Sequence, residues 1–186
     1  MGMVAPKLWT VDEVLALPDD GQRYEVIDGE LFVSPAPRWT HQAVLGVIQH
    51  RLYDYLRRER VGHVLHSPAD IEYGPRTLVQ PDLFAVPLVD GRRAKEWAEV
   101  RALLLVVEVL SPSTARLDRN KKRRLFQRER VPEYWIVDVD ARVIERWRPD
   151  DDRAELLNDE ITWHPAGATN ALRIDLAELF AEVIDG

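Results

Sequence analysis

The chain has 186 residues, of which 46% are hydrophobic and 31% charged, a balance that suits one soluble globular domain with a sizeable core. It contains no cysteine, which excludes disulfides and thiolate metal sites, and no run reaches the roughly 18 apolar residues of a membrane span. A net charge of −7 argues against a surface coated for nucleic-acid binding.

The N-terminus lacks the basic-then-apolar pattern of a secretory signal, so a cytoplasmic protein with no membrane association is expected. Thr10-Val11-Asp12-Glu13 has capping-box spacing and opens a short helix that Pro18 closes. Arg23–Val33 reads as a hairpin turning at Asp28-Gly29, with Glu25 on the face of Ile27. A charge at that position ordinarily faces solvent. After the rigid Ser34-Pro35-Ala36-Pro37, Thr40 is placed to cap a long helix to about Arg60 whose apolar stripe runs Val44/Leu45, Ile48, Leu52, Tyr55/Leu56. His41 lies one turn before that stripe, as a half-buried structural histidine or a site residue.

Two short strands are expected in Gly62–Tyr73, broken at Ser67-Pro68. His63 and His66 stand three apart on a strand and so on opposite faces, which disfavours a metal pair. Val79–Val86 reads as one strand with Pro81 and Asp82 at its start, and residues 92–101 suit a polar helix. Leu103–Leu110 is an apolar strand, buried on both faces by its composition, that carries a single acid, Glu108. A basic helix follows from about Thr114 to Arg130, rich in Arg116, Arg119, Lys121, Lys122, Arg123, Arg124, Arg128 and Arg130. Its charge suits local phosphate contact, a solvated face or a subunit contact alike. Tyr134–Val139 and Arg142–Arg148 form a second hairpin, Asp150-Asp151-Asp152 an exposed turn, Ile161–Trp163 a short strand, and Asp175 opens a final helix. The order is that of one mixed α/β (α+β) domain built on a single sheet, spanning 1–186.

A buried ionised Glu108 needs a compensating partner. If the strands holding Asp82 and Glu108 are antiparallel neighbours, the two carboxylates converge at one sheet edge. With a backbone carbonyl and waters they make a hard-oxygen site for Mg²⁺ or Mn²⁺. On the basic helix Asp118 and Lys122 share a face, and Lys122 falls between Leu125 and Phe126, pointing inward. Lys121, between Leu117 and Leu125, competes for the same role, and helix geometry prefers neither.

These pieces carry a resemblance. Pro81-Asp82 followed by Glu108 in an apolar strand resembles the PD-(D/E)XK nuclease superfamily. More closely, RYEVIDGEL (23–31), SPAP (34–37), His41-Gln42, QPD (80–82), VVEVLSPST (106–114), Asp118-x-x-x-Lys122 and VPEYWIVD (131–138) resemble the Uma family of restriction endonucleases, in order over nearly the whole chain. The resemblance implies a restriction-endonuclease-like core, a central mixed β-sheet flanked by helices. It also implies Mg²⁺- or Mn²⁺-dependent cleavage of DNA, with Asp82, Glu108 and the Val109 carbonyl as metal ligands. The superfamily lysine two residues after the acid is replaced here by Leu110. The family pattern moves that lysine to the following helix and selects Lys122 over Lys121. Glu25 and His41 match family positions near the site, as an accessory ligand or in proton handling. A homodimer is expected if both strands of a duplex are cut. The competing expectations are an inactive nucleic-acid-binding module on the nuclease fold, or a structural dimer in which the basic helix meets an acidic partner surface.

Overall fold

The computed structural model describes residues 7–96, 99–100 and 102–184. Helix α1 (Val11–Leu15) is opened by the capping box expected of Thr10 and Glu13. Strands β1 (Arg23–Ile27) and β2 (Glu30–Ser34) form the first hairpin. Its turn residues Asp28 and Gly29 both have positive φ, 52° and 85°, the twist that a two-residue hairpin loop requires. Helix α2 (Trp39–Glu59) starts one residue ahead of Thr40, with Arg38 as its N-cap and no side-chain cap. Thr40 therefore lies inside the first turn rather than at the cap. Pro37 holds Ala36 extended, and nothing beyond it delays the helix.

Strands β3 (Gly62–His66), β4 (Ile71–Glu72), β5 (Leu78–Val79) and β6 (Leu83–Pro87) follow. The strand expected over Val79–Val86 is thus two strands, and they belong to different sheets: β5 lies between β1 and β4 in a small four-stranded sheet, and β6 pairs with β3 at the edge of a six-stranded one. Gln80–Asp82 is the crossing point. The Ser67 hydroxyl donates to the carbonyls of Gln80 (3.1 Å) and Pro81 (2.6 Å), pinning that crossing.

Of the polar helix expected at 92–101, residues 97, 98 and 101 lie outside the described residues, 92–96 are not helical, and Glu99 belongs to a 3₁₀ turn and donates its N–H to the Glu96 carbonyl at 3.0 Å. Instead Asp90 and Gly91, at φ 50° and 72°, close a turn in which Val89 and Arg92 bridge. The stretch has no apolar stripe to pack, and propensity alone does not hold a short helix in water.

Strand β7 (Leu105–Val109) is fully buried. It runs antiparallel to β6 and parallel to β8 (Tyr134–Asp138). The crossover between β7 and β8 is a wide π-helical turn, Leu117–Lys122, continuing into α3 (Arg123–Arg128). Strands β9 (Val143–Trp147) and β10 (Glu155–Leu157) complete the large sheet. The pair β11 (Glu160–Trp163) and β12 (Leu172–Asp175) leads into α4 (Leu176–Ile184), whose first turn is capped by Asp175 accepting from the Glu178 N–H (2.8 Å).

Alternation along β7 sorts the two cores. Leu105, Val107 and Val109 pack with the α2 stripe and with α4. Val106 joins Phe84, Tyr134, Ile136, Leu125 and Phe126 on the other face, where the small sheet contributes Ile27 and Val79. Glu108 shares the parity of Val106. It therefore points between the large sheet and the small one, under the π-turn and α3.

Candidate active site

Four elements converge on that interior. From β1 comes Glu25; from the crossing point, Asp82; from β7, Glu108; and from the π-turn, Asp118 and Lys122. All five side chains are at most 3% exposed, and His41 reaches in from the first turn of α2. Of the residues singled out in the sequence, Glu25, His41, Asp82, Glu108 and Lys122 line one cavity of about 230 Å³ together with Arg23, Asp118 and the Ser111–Thr114 turn, and Val109 does not line it.

Antiparallel pairing of β6 with β7 brings the two acids together as expected, with Leu83 opposite Val107. Asp82 Oδ2 accepts from the Val109 N–H at 2.9 Å, and the Asp82 N–H donates to Glu108 Oε2 at 3.3 Å. Two donors then fix Asp82. Arg23 Nη1 lies 2.9 Å from Oδ1 and His41 Nε2 3.0 Å from Oδ2. Burial pushes the Asp82 pKa up, but the His41 hydrogen bond, the Arg23 charge and the Val109 N–H outweigh it and hold the carboxyl well below the usual range. Arg23 is the participant that sequence reading missed. It stands two residues before Glu25, so strand alternation alone places it on the same face.

Lys122 sits at the centre of the remaining acids. Its Nζ lies 2.8 Å from Glu108 Oε1, 2.9 Å from Glu25 Oε1 and 3.8 Å from Asp118 Oδ1. Burial disfavours the ammonium, yet Glu108, Glu25 and Asp118 raise its pKa above the ordinary lysine value, so it stays charged. Lys121, its competitor in the sequence, is about half exposed and pairs with Glu30 at 2.6 Å on the surface. The wide turn separates the two, burying Leu117, Asp118 and Lys122 while their neighbours face outward; such π-turns recur at functional sites. Glu25 corrects the expectation of a solvent-facing strand residue. The small sheet covers the π-turn, so this face of β1 is interior, and Glu25 also accepts from the Gln80 N–H at 2.7 Å.

Four carboxylates thus face two permanent cations, Arg23 and Lys122. Burial raises Glu108 well above the ordinary glutamate value, with Asp82, Asp118 and Glu25 adding to it against the pull of Lys122. Burial likewise raises Asp118, to about 6. Asp118 Oδ1 is buried without a hydrogen-bond partner among the described residues.

A divalent cation fits this donor set. Each carboxylate has about four lone-pair positions, and the contacts above leave some free on Asp82 Oδ1 and on both oxygens of Glu108. A strand residue directs its N–H and C=O to the same neighbour, which puts the Val109 carbonyl on the Asp82 edge. Among the described residues no three His, Asp or Glu side chains form a ready-made metal cage. Mg²⁺ does not require one, because it usually keeps several waters and takes one or two carboxylates plus a substrate phosphate.

The basic segment is largely neutralised within the chain. Arg119 donates to Glu145 (2.6 Å) and Asp138 (3.0 Å), and Arg128 forks onto Asp28 with two bonds of 3.1 Å. Arg130 pairs with Asp150 (2.6 Å), and Arg123 lies over the Trp147 ring at 4.6 Å. Arg116 and Arg124 line a groove on the helix surface. Internal ion pairing therefore accounts for most of a charge cluster that the sequence left open to phosphate or partner contact.

Among curated proteins, no relative matches the chain. A solved structure described as "a putative nuclease belonging to DUF820" from Anabaena variabilis superimposes with a TM-score of 0.77, covering 95% of this chain and 99% of that one at 21% identity. It shares the fold: a central mixed sheet flanked by helices. No described helix is long and apolar enough to cross a membrane. The profile of the Uma2 family, described as "Putative restriction endonuclease", matches residues 11–179, a span that contains every residue of the cavity. The chain belongs to the Uma2 family.

Proposed function

We propose that this protein is a Mg²⁺- or Mn²⁺-dependent nuclease that hydrolyses DNA phosphodiester bonds. The observation that carries the reading is the buried excess of acids, Asp82 and Glu108 side by side across β6 and β7 with Lys122 against Glu108. Asp82, Glu108 and the Val109 carbonyl would hold the cation. When bound, such an ion polarises a phosphate oxygen and makes a coordinated water nucleophilic at neutral pH.

The chain's own residues do the rest. Arg23 and His41 keep Asp82 ionised and fix its orientation. Glu25 and Asp118 keep Lys122 charged and limit its reach, so the ammonium meets charge developing on phosphorus without reorganising. Leu110 occupies the superfamily's lysine position, and its N–H is bound to the Val137 carbonyl at 2.9 Å. The amine instead arrives from the π-turn on the same face of the sheet as Glu108. His41 Nδ1 is buried and has no hydrogen-bond partner among the described residues, while its Nε2 holds Asp82. An inactive binding module draws less support, because the arginines it would dock with are largely paired internally. Cutting both strands of a duplex would call for a two-fold dimer; cutting an unpaired strand would not.

The test is cleavage of supercoiled plasmid and of labelled oligonucleotides with Mg²⁺ or Mn²⁺, against EDTA. Cutting is expected with either metal, and Asp82→Asn or Glu108→Gln should lower it by about 10³-fold or more. Cutting that survives both substitutions, or none under any metal, overturns the reading.

A further inference from the structure

A second concavity opens from the acidic cavity. It is a groove of about 440 Å³ that shares Arg23, Asp82 and the Pro35–Pro37 connector with the site and runs on along α2. That volume lies within the roughly 300–1,000 Å³ of small-ligand pockets, and it is far too small for a duplex. Its chemistry differs from that of the cavity. Asp82 and Arg23 at the shared end bind each other; beyond them the lining is amides, prolines and leucines, with His66 at the margin.

Gln42 and Gln49 project into the groove from α2, two turns apart, with Gly46 between them. Neither amide is held by a hydrogen bond within the described residues. The other two glutamines of the lining are engaged, Gln22 by Asp20 (2.9 Å) and Gln80 by Asp70 (2.8 Å). A Cβ built on Gly46 would meet nothing within 4 Å, so a ligand can approach the helix backbone there. Pro37 and Pro68 supply flat apolar walls, and Leu83 lies beneath.

A phosphate would find no unpaired cation in this groove. A nucleobase would find apolar faces to lie against and free amides, each able to donate and accept, for its edge. We infer that the groove receives one unpaired nucleobase next to the scissile phosphate, and that the substrate is accordingly a single strand. Bases become accessible in this way only when unstacked. The inference rests on the nuclease reading for its substrate and adds the strand form.

The experiment measures anisotropy of a labelled single-stranded DNA of about 12 nucleotides and of the matching blunt duplex. Ca²⁺ is present to occupy oxygen ligands. The proteins are wild type, Gly46→Leu and Gln42→Leu; Leu is favoured over Gly in a helix, so melting of Gly46→Leu should not fall. The single strand is expected to bind about tenfold or more tightly than the duplex. Gly46→Leu should abolish that preference by filling the groove, and Gln42→Leu should reduce it. Equal binding of both forms, or a preference unchanged in Gly46→Leu, overturns the inference. The cleavage assay separates the two proposals. A preference lost in Gly46→Leu without metal-dependent cutting sinks the nuclease reading alone, and cutting indifferent to Gly46→Leu sinks the groove alone.

Discussion

The large sheet carries two ionic clusters, and they are built on opposite principles. Around Arg146 on β9 every charge is met. The guanidinium forks onto Glu155 (3.0 and 2.7 Å) and donates to the Thr162 carbonyl (2.7 Å). Glu133 nearby accepts from the Trp135 indole at 2.8 Å. Around Lys122 one ammonium faces three carboxylates, Asp118 Oδ1 has no hydrogen-bond partner among the described residues, and a cavity adjoins them. The first cluster ties β9, β10 and β11 together through the Arg146 guanidinium. The second keeps negative charge and open space beside each other, at a cost in stability, and that combination distinguishes a site from a strut.

Substitutions should break this contrast in a definite order. The largest effect is expected from Lys122→Met. It leaves Glu25, Glu108 and Asp118 buried without their cation, and removing one partner of a buried ion pair costs about 3–5 kcal/mol. Urea unfolding at neutral pH should show that loss, together with loss of any cleavage. A destabilisation near zero would mean that the acids are not ionised around it.

Next comes Asp118→Asn, read through pH. The folded carboxyl titrates near 6, above its unfolded value, so the native state binds the extra proton. Its contribution is therefore fully present below the unfolded pKa and is lost as pH rises through about 6. In metal-free buffer the wild type should lose on the order of 2–3 kcal/mol between about pH 4 and 7 relative to Asp118→Asn. Parallel stability profiles for the two proteins would contradict this.

The smallest effect is expected from Glu155→Gln in the satisfied cluster. Glu155 is partly exposed, so the change should cost at most about 1 kcal/mol and leave cleavage unaltered. A loss of cleavage there would erase the distinction between the two clusters.

How much of this was legible in the sequence depended on whether the signal was local. Both hairpins, the capping box at Thr10, the Asp175 cap of the last helix, and the apolar stripe of α2 follow from spacing and turn chemistry, and they form as read. Asp82 beside Glu108 followed from one assumption, antiparallel neighbours, which holds. What stayed hidden depends on tertiary cover. Glu25 reads as a solvent residue until the small sheet folds over the π-turn. Lys121 and Lys122 are indistinguishable on an ideal α-helix and are separated by a widened turn that no residue announces. Gln80–Asp82 looks like the start of one strand and is the passage between two sheets. The stretch at 92–96 has helical composition but no face to bury, and the Asp90-Gly91 turn prevails beside it.

The most direct test of the acid excess as a metal site is a crystal soaked in Mn²⁺ and measured at the manganese absorption edge. An anomalous peak bridging the carboxylates of Asp82 and Glu108, lost in Asp82→Asn, is expected. Peaks only on the surface, or none within reach of these two side chains, would contradict it.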